Sequence, residues 1–205
     1  KGLVRNIYDP LKLMVLRHFF TRGLRFHFVF VSKWMSDEAH RSLKLQKELP
    51  SSTIYNPISE FYASWNFDGE IKKKYDFITV RPLDGSKYCI DIVVRLARAN
   101  PRLKFKIIGR GTFFKHVSMP GNVTWINNFF SPPELASHLN EARIALMPTR
   151  LDAQGVMMCE LAASGMPVVT SSISIAKEVL SGYTGAYFLD NNNPEDSFAR
   201  LLGEG

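Results

Sequence analysis

The densest chemistry in this chain lies between residues 148 and 160. Pro148-Thr149-Arg150-Leu151-Asp152-Ala153-Gln154-Gly155 reads as a loop that runs straight into a helix, Val156-Met157-Met158-Cys159-Glu160-Leu161-Ala162-Ala163. A helix N-terminus behind a glycine-containing loop points unpaired backbone N–H groups at whatever sits above it. With the helix dipole, that favours an anion such as a diphosphate. Glu160 falls about one and a half turns into a helix that otherwise reads as buried. A buried carboxylate needs partners, and sugar hydroxyls, backbone amides or a lysine would all serve. Asp152 has a plainer reading as a cap on the helix start.

Such a loop needs a scaffold, and the chain alternates strands with helices from residue 75 onward. Strands are predicted at Phe77–Val80, Leu103–Ile108, Val123–Ile126, Ile144–Met147, Pro167–Thr170 and Ala186–Leu189. Helices are predicted at Lys87–Ala99, Pro132–Leu139 (with Ser131 as N-cap), Gly155–Ser164, Ile175–Leu180 and Pro194–Leu202. Short loops between alternating elements imply parallel βαβ units, hence an α/β, doubly wound sheet. Ligands of such sheets bind beyond the carboxyl ends of the strands. The loops to search are therefore Arg81–Lys87, Gly109–Gly111, Asn127-Asn128, Pro148–Gly155 and Ser171–Ser174.

Upstream, a helix is predicted at Pro10–Phe20, with Leu11, Met14, Val15 and His18 on one face. A strand follows at Arg25–Ser32, then a helix that starts around Ser36-Asp37-Glu38 and runs to about Glu48. Thr53-Ile54-Tyr55 reads as a short strand. Ser59–Lys74 is polar, aromatic and unperiodic, and reads as a linker.

Asp152 and Glu160 are separated by seven intervening residues, followed by Leu161-Ala162-Ala163-Ser164-Gly165-Met166-Pro167-Val168-Val169-Thr170. This pattern resembles the E-x7-E signature of retaining GT-B glycosyltransferases of the family 4 type. Asn122–Ile126, Ser131–Ala136, Ala142–Thr149 and Phe105–Gly111 resemble the strands and helices that precede it. Arg81 and Lys87 resemble the family's first-loop cations. Phe28–Met35 resembles a strand and helix late in its N-terminal domain, and Ile54-Tyr55-Asn56-Pro57-Ile58 its interdomain linker. The resemblance implies a Rossmann-like GT-B C-terminal domain at 75–205, shortened at its C-terminus. It further implies a linker at 59–74 and only the tail of the N-terminal acceptor domain at 1–58.

The resemblance also implies roles. Glu160 would accept the ribose hydroxyls and Asp152 the hydroxyls of the transferred sugar. Backbone amides of Ala153, Gln154, Gly155 and Val156 would hold the diphosphate. Arg81 and Lys87 would neutralise it in place of a divalent metal, so no cofactor or metal is expected. Trp125 to Asn128, with Asn127 and Asn128 among them, would border the base, and Gly109 would belong to the donor-binding residues. Two residues depart from the pattern: the first acid is Asp rather than Glu, one methylene shorter, and the Arg81–Lys87 spacing is one residue longer than usual. Without the resemblance, Arg81 and Lys87 read equally as solvated loop charges, Trp125 as core and Arg150 as surface.

The expected activity is transfer of a sugar from a nucleoside-diphosphate sugar to a saccharide or lipid-linked acceptor with retention, as in bacterial polysaccharide assembly. The alternatives are a non-catalytic nucleotide- or sugar-binding module and a GT-B-fold epimerase. Residues 1–50 hold ten Lys or Arg against four acids, +6 of the chain's +7. A basic region of this kind suits an anionic membrane surface, so a cytoplasmic protein, peripheral at the inner face of the membrane, is expected. Its aromatics read as core, so nucleic acid is not expected. Cys89 and Cys159 suggest no disulfide framework, and the five histidines have no metal-type spacing.

Overall fold

A computed structural model describes residues 2–21, 27–44 and 50–203. The chain divides into two units, Lys1–Asn56 and Pro57–Gly205.

In the first unit, helix α1 (Gly2–Thr21) and strand β1 (Phe28–Phe30) are followed by helix α2 (Lys33–Leu43) and strand β2 (Ser51–Thr53). The two strands pair in parallel, Phe28 opposite Ser51. α1 starts eight residues before the expected Pro10 and carries that proline inside it. A proline ring removes one N–H and crowds one carbonyl, a local cost that the turns on either side override. The face bearing Leu11, Met14 and Val15 stays exposed. On the other side, Arg17 donates to the Ser42 carbonyl at 2.7 Å, and the Phe20 and Phe28 rings meet at 5.3 Å. α2 starts at Lys33 rather than near Ser36, because the Ser32 hydroxyl accepts the Met35 N–H at 3.1 Å and caps the helix there. The expected strand start at Arg25 and Phe26 and the expected helix end at 45–48 lie outside the described residues. No helix among the described residues is long and apolar enough to cross a membrane.

In the second unit, helix α3 (Glu60–Ser64) precedes β3 (Tyr75–Val80), α4 (Ile90–Ala99), β4 (Phe105–Ile108), α5 (Phe113–His116), β5 (Val123–Ile126) and α6 (Pro132–Leu139). Then come β6 (Ala142–Met147), α7 (Val156–Ala163), β7 (Val168–Ser171), α8 (Ser174–Val179), β8 (Ala186–Leu189) and α9 (Pro194–Leu202). The six strands form one sheet in the order β5-β4-β3-β6-β7-β8. Every neighbouring pair is parallel. The chain thus winds outward from β3 in one direction and from β6 in the other. That reversal puts a topological switch point between the carboxyl ends of β3 and β6, where doubly wound sheets bind ligands.

The apolar face expected on α4 is the one that packs: Ile90, Val93, Val94 and Ala97 are all at most 2% exposed. They cover Phe77, Phe105 and Leu146 in one layer of core. The stretch expected as a linker instead carries α3, whose Tyr62 is 3% exposed within the second core layer. Tyr62 and Trp65 meet edge to face at 6.0 Å, and the Phe67 N–H donates to the Ser164 carbonyl at 2.8 Å. Five residues are too few to show a helical period in sequence, so only these tertiary contacts reveal the element.

At the opposite end of the sheet from the switch point, Lys106 on β4 is 2% exposed. Its ammonium pairs with Glu141 and lies 2.9 Å from His138 Nδ1. Lys74 also reaches Glu141, at 2.7 Å. Burial raises the Glu141 pKa, but the two ammonium groups prevail and bring it from 4.5 down to about 2. The carboxylate therefore stabilises the fold fully above pH 4.5, and that contribution fades as pH falls towards about 2. Glu141→Gln should cost roughly 3 kcal/mol at pH 7, because it strands a buried ammonium. The difference from wild type should shrink as pH falls below 4.5, read by urea titration across pH.

Candidate functional site

Two loops meet at the switch point, one leaving β3 and one leaving β6. The β3 loop stays tied to the neighbouring strand. Arg81 N–H donates to the Ile108 carbonyl at 3.0 Å and Leu83 N–H to the Arg110 carbonyl at 2.9 Å. This pairing explains Gly109 and Gly111. At Gly109 (φ +150°) an added Cβ would lie 1.9 Å from the Arg81 carbonyl oxygen. At Gly111 (φ +155°) it would lie 2.7 Å from Leu83 Cβ and 2.9 Å from Asp84 Oδ1. These glycines let the β4 loop lie flat against the β3 loop.

Arg81 is 7% exposed, and its Nε and Nη2 find no hydrogen-bond partner among the described residues. Burial lowers its pKa, and the charge of Asp152 acts against that. Its guanidinium lies 5.7 Å from the centroid of the Tyr88 ring. The Lys87 ammonium, on an exposed residue, approaches the same ring at 4.7 Å. The two cations singled out in sequence are thus brought to one aromatic side chain. Buried donors are almost always paired in folded proteins, so an orphaned buried guanidinium demands a reason.

The β6 loop begins at Thr149, which is fully buried. Its N–H donates to Ser171 Oγ at 2.9 Å, Ser171 Oγ donates to Asn191 Oδ1 at 2.6 Å, and Asn191 Nδ2 returns to the Thr149 carbonyl at 3.0 Å. This closed ring joins the exits of β6, β7 and β8, and sequence reading missed it. Its signal was three small polar residues at the ends of neighbouring strands, visible only once the strand order is known.

Asp152 Oδ1 accepts the N–H groups of Ala153 at 2.8 Å, Gln154 at 3.4 Å and Gly155 at 2.9 Å. Three of the four amides expected to face a diphosphate converge instead on this carboxylate. Gly155 takes the left-handed conformation (φ +76°), and a Cβ there would sit 2.2 Å from Met158 Cε. α7 begins at the next residue, Val156, which is half-buried. Gln154 is 4% exposed, with its side chain hydrogen-bonded to the Cys159 thiol, whose pKa burial raises.

Glu160, half-buried on α7, accepts the backbone N–H of Ser59 at 3.1 Å. Burial pushes its pKa up against that bond. The Tyr62 phenol is pushed to about 12, chiefly by burial and then by the Glu160 charge. Trp125 is pinned rather than free, its Nε1–H donating to the Gly109 carbonyl at 2.9 Å and its ring 5.1 Å from Phe114. Asn127 is exposed. Asn128 Oδ1 accepts from Arg110 Nη2 at 3.2 Å, and that guanidinium lies 5.2 Å from the Phe129 ring centroid. A cavity of about 100 Å³ is lined in part by Arg81, Phe129, Phe130 and Leu135.

An open, all-parallel sheet with a topological switch point between β3 and β6 is a Rossmann-like α/β domain. The chain belongs to the family of group 1 glycosyl transferases, whose model matches residues 77–203. A search of curated proteins found no match. Solved structures share the fold, which is that of GT-B glycosyltransferases. Sucrose-phosphate synthase from Thermosynechococcus elongatus superposes with a TM-score of 0.74 at 13% identity, over 96% of this chain and 53% of that one. WaaG, a glycosyltransferase involved in lipopolysaccharide biosynthesis, gives 0.67 at 12% identity, over 90% and 55%. A point mutant of S. aureus TarM, in complex with fondaparinux, α-GlcNAc-glycerol and UDP, gives 0.64 at 16% identity, over 85% and 36%. The chain spans between 35% and 56% of the length of such proteins.

Gly109→Ala tests the loop packing. It should destabilise the protein by about 3 kcal/mol, through backbone collision and strain at positive φ. Gly121→Ala, where an added Cβ meets nothing within 4 Å, should stay within about 0.5 kcal/mol of wild type in the same urea titration.

Proposed function

We propose that residues 57–205 bind the nucleoside-diphosphate sugar of a retaining glycosyltransferase. The observation that carries this reading is the buried Arg81 guanidinium with two unpaired donor nitrogens at the switch point. A diphosphate supplies the acceptor oxygens and charge that Arg81 lacks, and charge-assisted bonds to Arg are among the strongest a protein makes. Because the Asp152 carboxylate already takes the amides of Ala153, Gln154 and Gly155, the neutralising role falls chiefly on Arg81 and Lys87. These cations stand in for a divalent metal. Glu160 exchanges the Ser59 N–H for ribose hydroxyls. Asp152 takes a hydroxyl of the transferred sugar through the oxygen its loop amides leave unused. Asn127 and Asn128 border the base, and Gly109 belongs to the donor-binding residues.

In the whole enzyme, catalysis rests on positioning and on stabilising the departing diphosphate as its charge develops. The acceptor is a saccharide, carried on a lipid in the setting that the basic region 1–50 suits. Sedimentation with liposomes that is unaffected by anionic lipid would argue against that setting.

Arg81→Met is the decisive variant. A buried charge without partners is costly, so its removal should raise stability by about 1–3 kcal/mol. The same change should weaken binding of UDP, the nucleotide in the TarM complex, by roughly tenfold to a hundredfold. Titration calorimetry beside thermal melts reads both effects, and UDP binding undiminished in this variant would sink the proposal. Binding by the wild type should survive EDTA and weaken with added salt.

A further inference from the structure

The helix expected to run unbroken from Lys87 to Ala99 is interrupted. Residues Ser86–Tyr88 form a single 3₁₀ turn, and Cys89 then adopts the left-handed conformation (φ +54°, ψ +33°) before α4 begins at Ile90. A non-glycine residue is strained in that region, and such strain persists only where surrounding contacts impose it. Those contacts come from the β6 loop. The Lys87 carbonyl accepts from Arg150 N–H at 2.9 Å and from Thr149 Oγ1 at 3.1 Å, besides the nearby Cys89 thiol at 3.7 Å. The Arg150 guanidinium closes the clamp, donating to the Ser86 carbonyl at 2.6 Å and, in a bidentate pair, to Asp91 at 2.9 and 2.5 Å.

We propose that Arg150 is a positioning residue: it fixes the backbone of Lys87, so that the ammonium is presented at the switch point beside Arg81. The inference rests on the donor-site reading above. Lys87 is exposed and long, and a free loop would let its charge range widely. Held from the neighbouring strand's loop at both Ser86 and Lys87, its stem starts from a fixed point. The clamp is poorly explained as a stabiliser. The side chains of Arg150 and Asp91 are 42% and 47% exposed, and exposed ion pairs contribute little to stability.

A double-mutant cycle on UDP affinity tests the role, using Arg150→Gln, Lys87→Ala and the pair. Arg150→Gln should weaken UDP about threefold to tenfold while moving the melting temperature by no more than about 2–4 °C. In the Lys87→Ala background the same change should have no further effect, because there is no ammonium left to position. Arg150→Lys should behave like Arg150→Gln, since a point charge cannot make the bidentate pair with Asp91 and reach Ser86 as well. Asp91→Asn should show part of the loss. Additive losses in the cycle would mean that Arg150 touches the ligand itself, and they overturn the proposal. So does full affinity in Arg150→Gln. Wild-type protein that binds no nucleoside diphosphate would defeat the donor-site reading instead, an outcome separate from an additive cycle.

Discussion

The guanidinium of Arg81 is held under protein, with two of its nitrogens unpaired, at the point where the sheet reverses its winding. Water would have supplied those nitrogens with partners, so the fold carries an unmet demand for negative charge at one place. Much of the second unit can be understood as what keeps the demand in place. β3 and β6 pair in parallel through Phe77–Ile144 and Ile78–Ala145, which brings their exit loops side by side. The Thr149–Ser171–Asn191 ring then locks the β6 loop to the strands beyond it. The β4 loop lies against the backbone that carries Arg81, whose side chain is buried.

That close approach depends on the absence of side chains at Gly109 and Gly111. A strand-then-Gly-x-Gly turn is often taken as a phosphate-binding sign. Here the two glycines face the β3 loop at distances no Cβ could tolerate. That packing alone requires both glycines. Trp125 is placed by the same turn, its indole N–H directed to the Gly109 carbonyl. Gly155 belongs to a different constraint, since Met158 fills the space where its side chain would be.

The two acids of the motif differ in how they are satisfied. Asp152 closes on its own loop and takes three successive amides, a compact arrangement suited to its short side chain. Glu160, half-buried on α7, holds one backbone N–H from the segment that precedes α3 and titrates high because burial outweighs that bond. One acid therefore shapes the loop while the other retains a partly desolvated carboxylate. The first is the mark of a local turn, and the second is typical of groups that act on ligands.

Most of the strand and helix pattern of residues 75–203, α5 excepted, was legible in the amino-acid order alone, because apolar periodicity and loop punctuation are local. β5, α6 and β8 fall at their expected bounds, and Ser131, expected as the N-cap, also donates its N–H to the Glu134 carboxylate at 2.8 Å. The motif spacing also singled out Asp152 and Glu160, and the family resemblance Arg81. What local order could not decide was whom these groups would meet. Whether Arg81 is a solvated charge or a buried one depends on Gly109 approaching from another strand. Whether the amides after Asp152 stay open depends on a side-chain rotamer. The break at Cys89 exists because Thr149 and Arg150, some sixty residues later, pull on the Lys87 carbonyl. α3 is a helix only because Tyr62 and Trp65 find a core to enter. Sequence determined the elements through short-range periodicity, while strand order determined the site, since only the folded sheet brings the exits of β3 and β6 together.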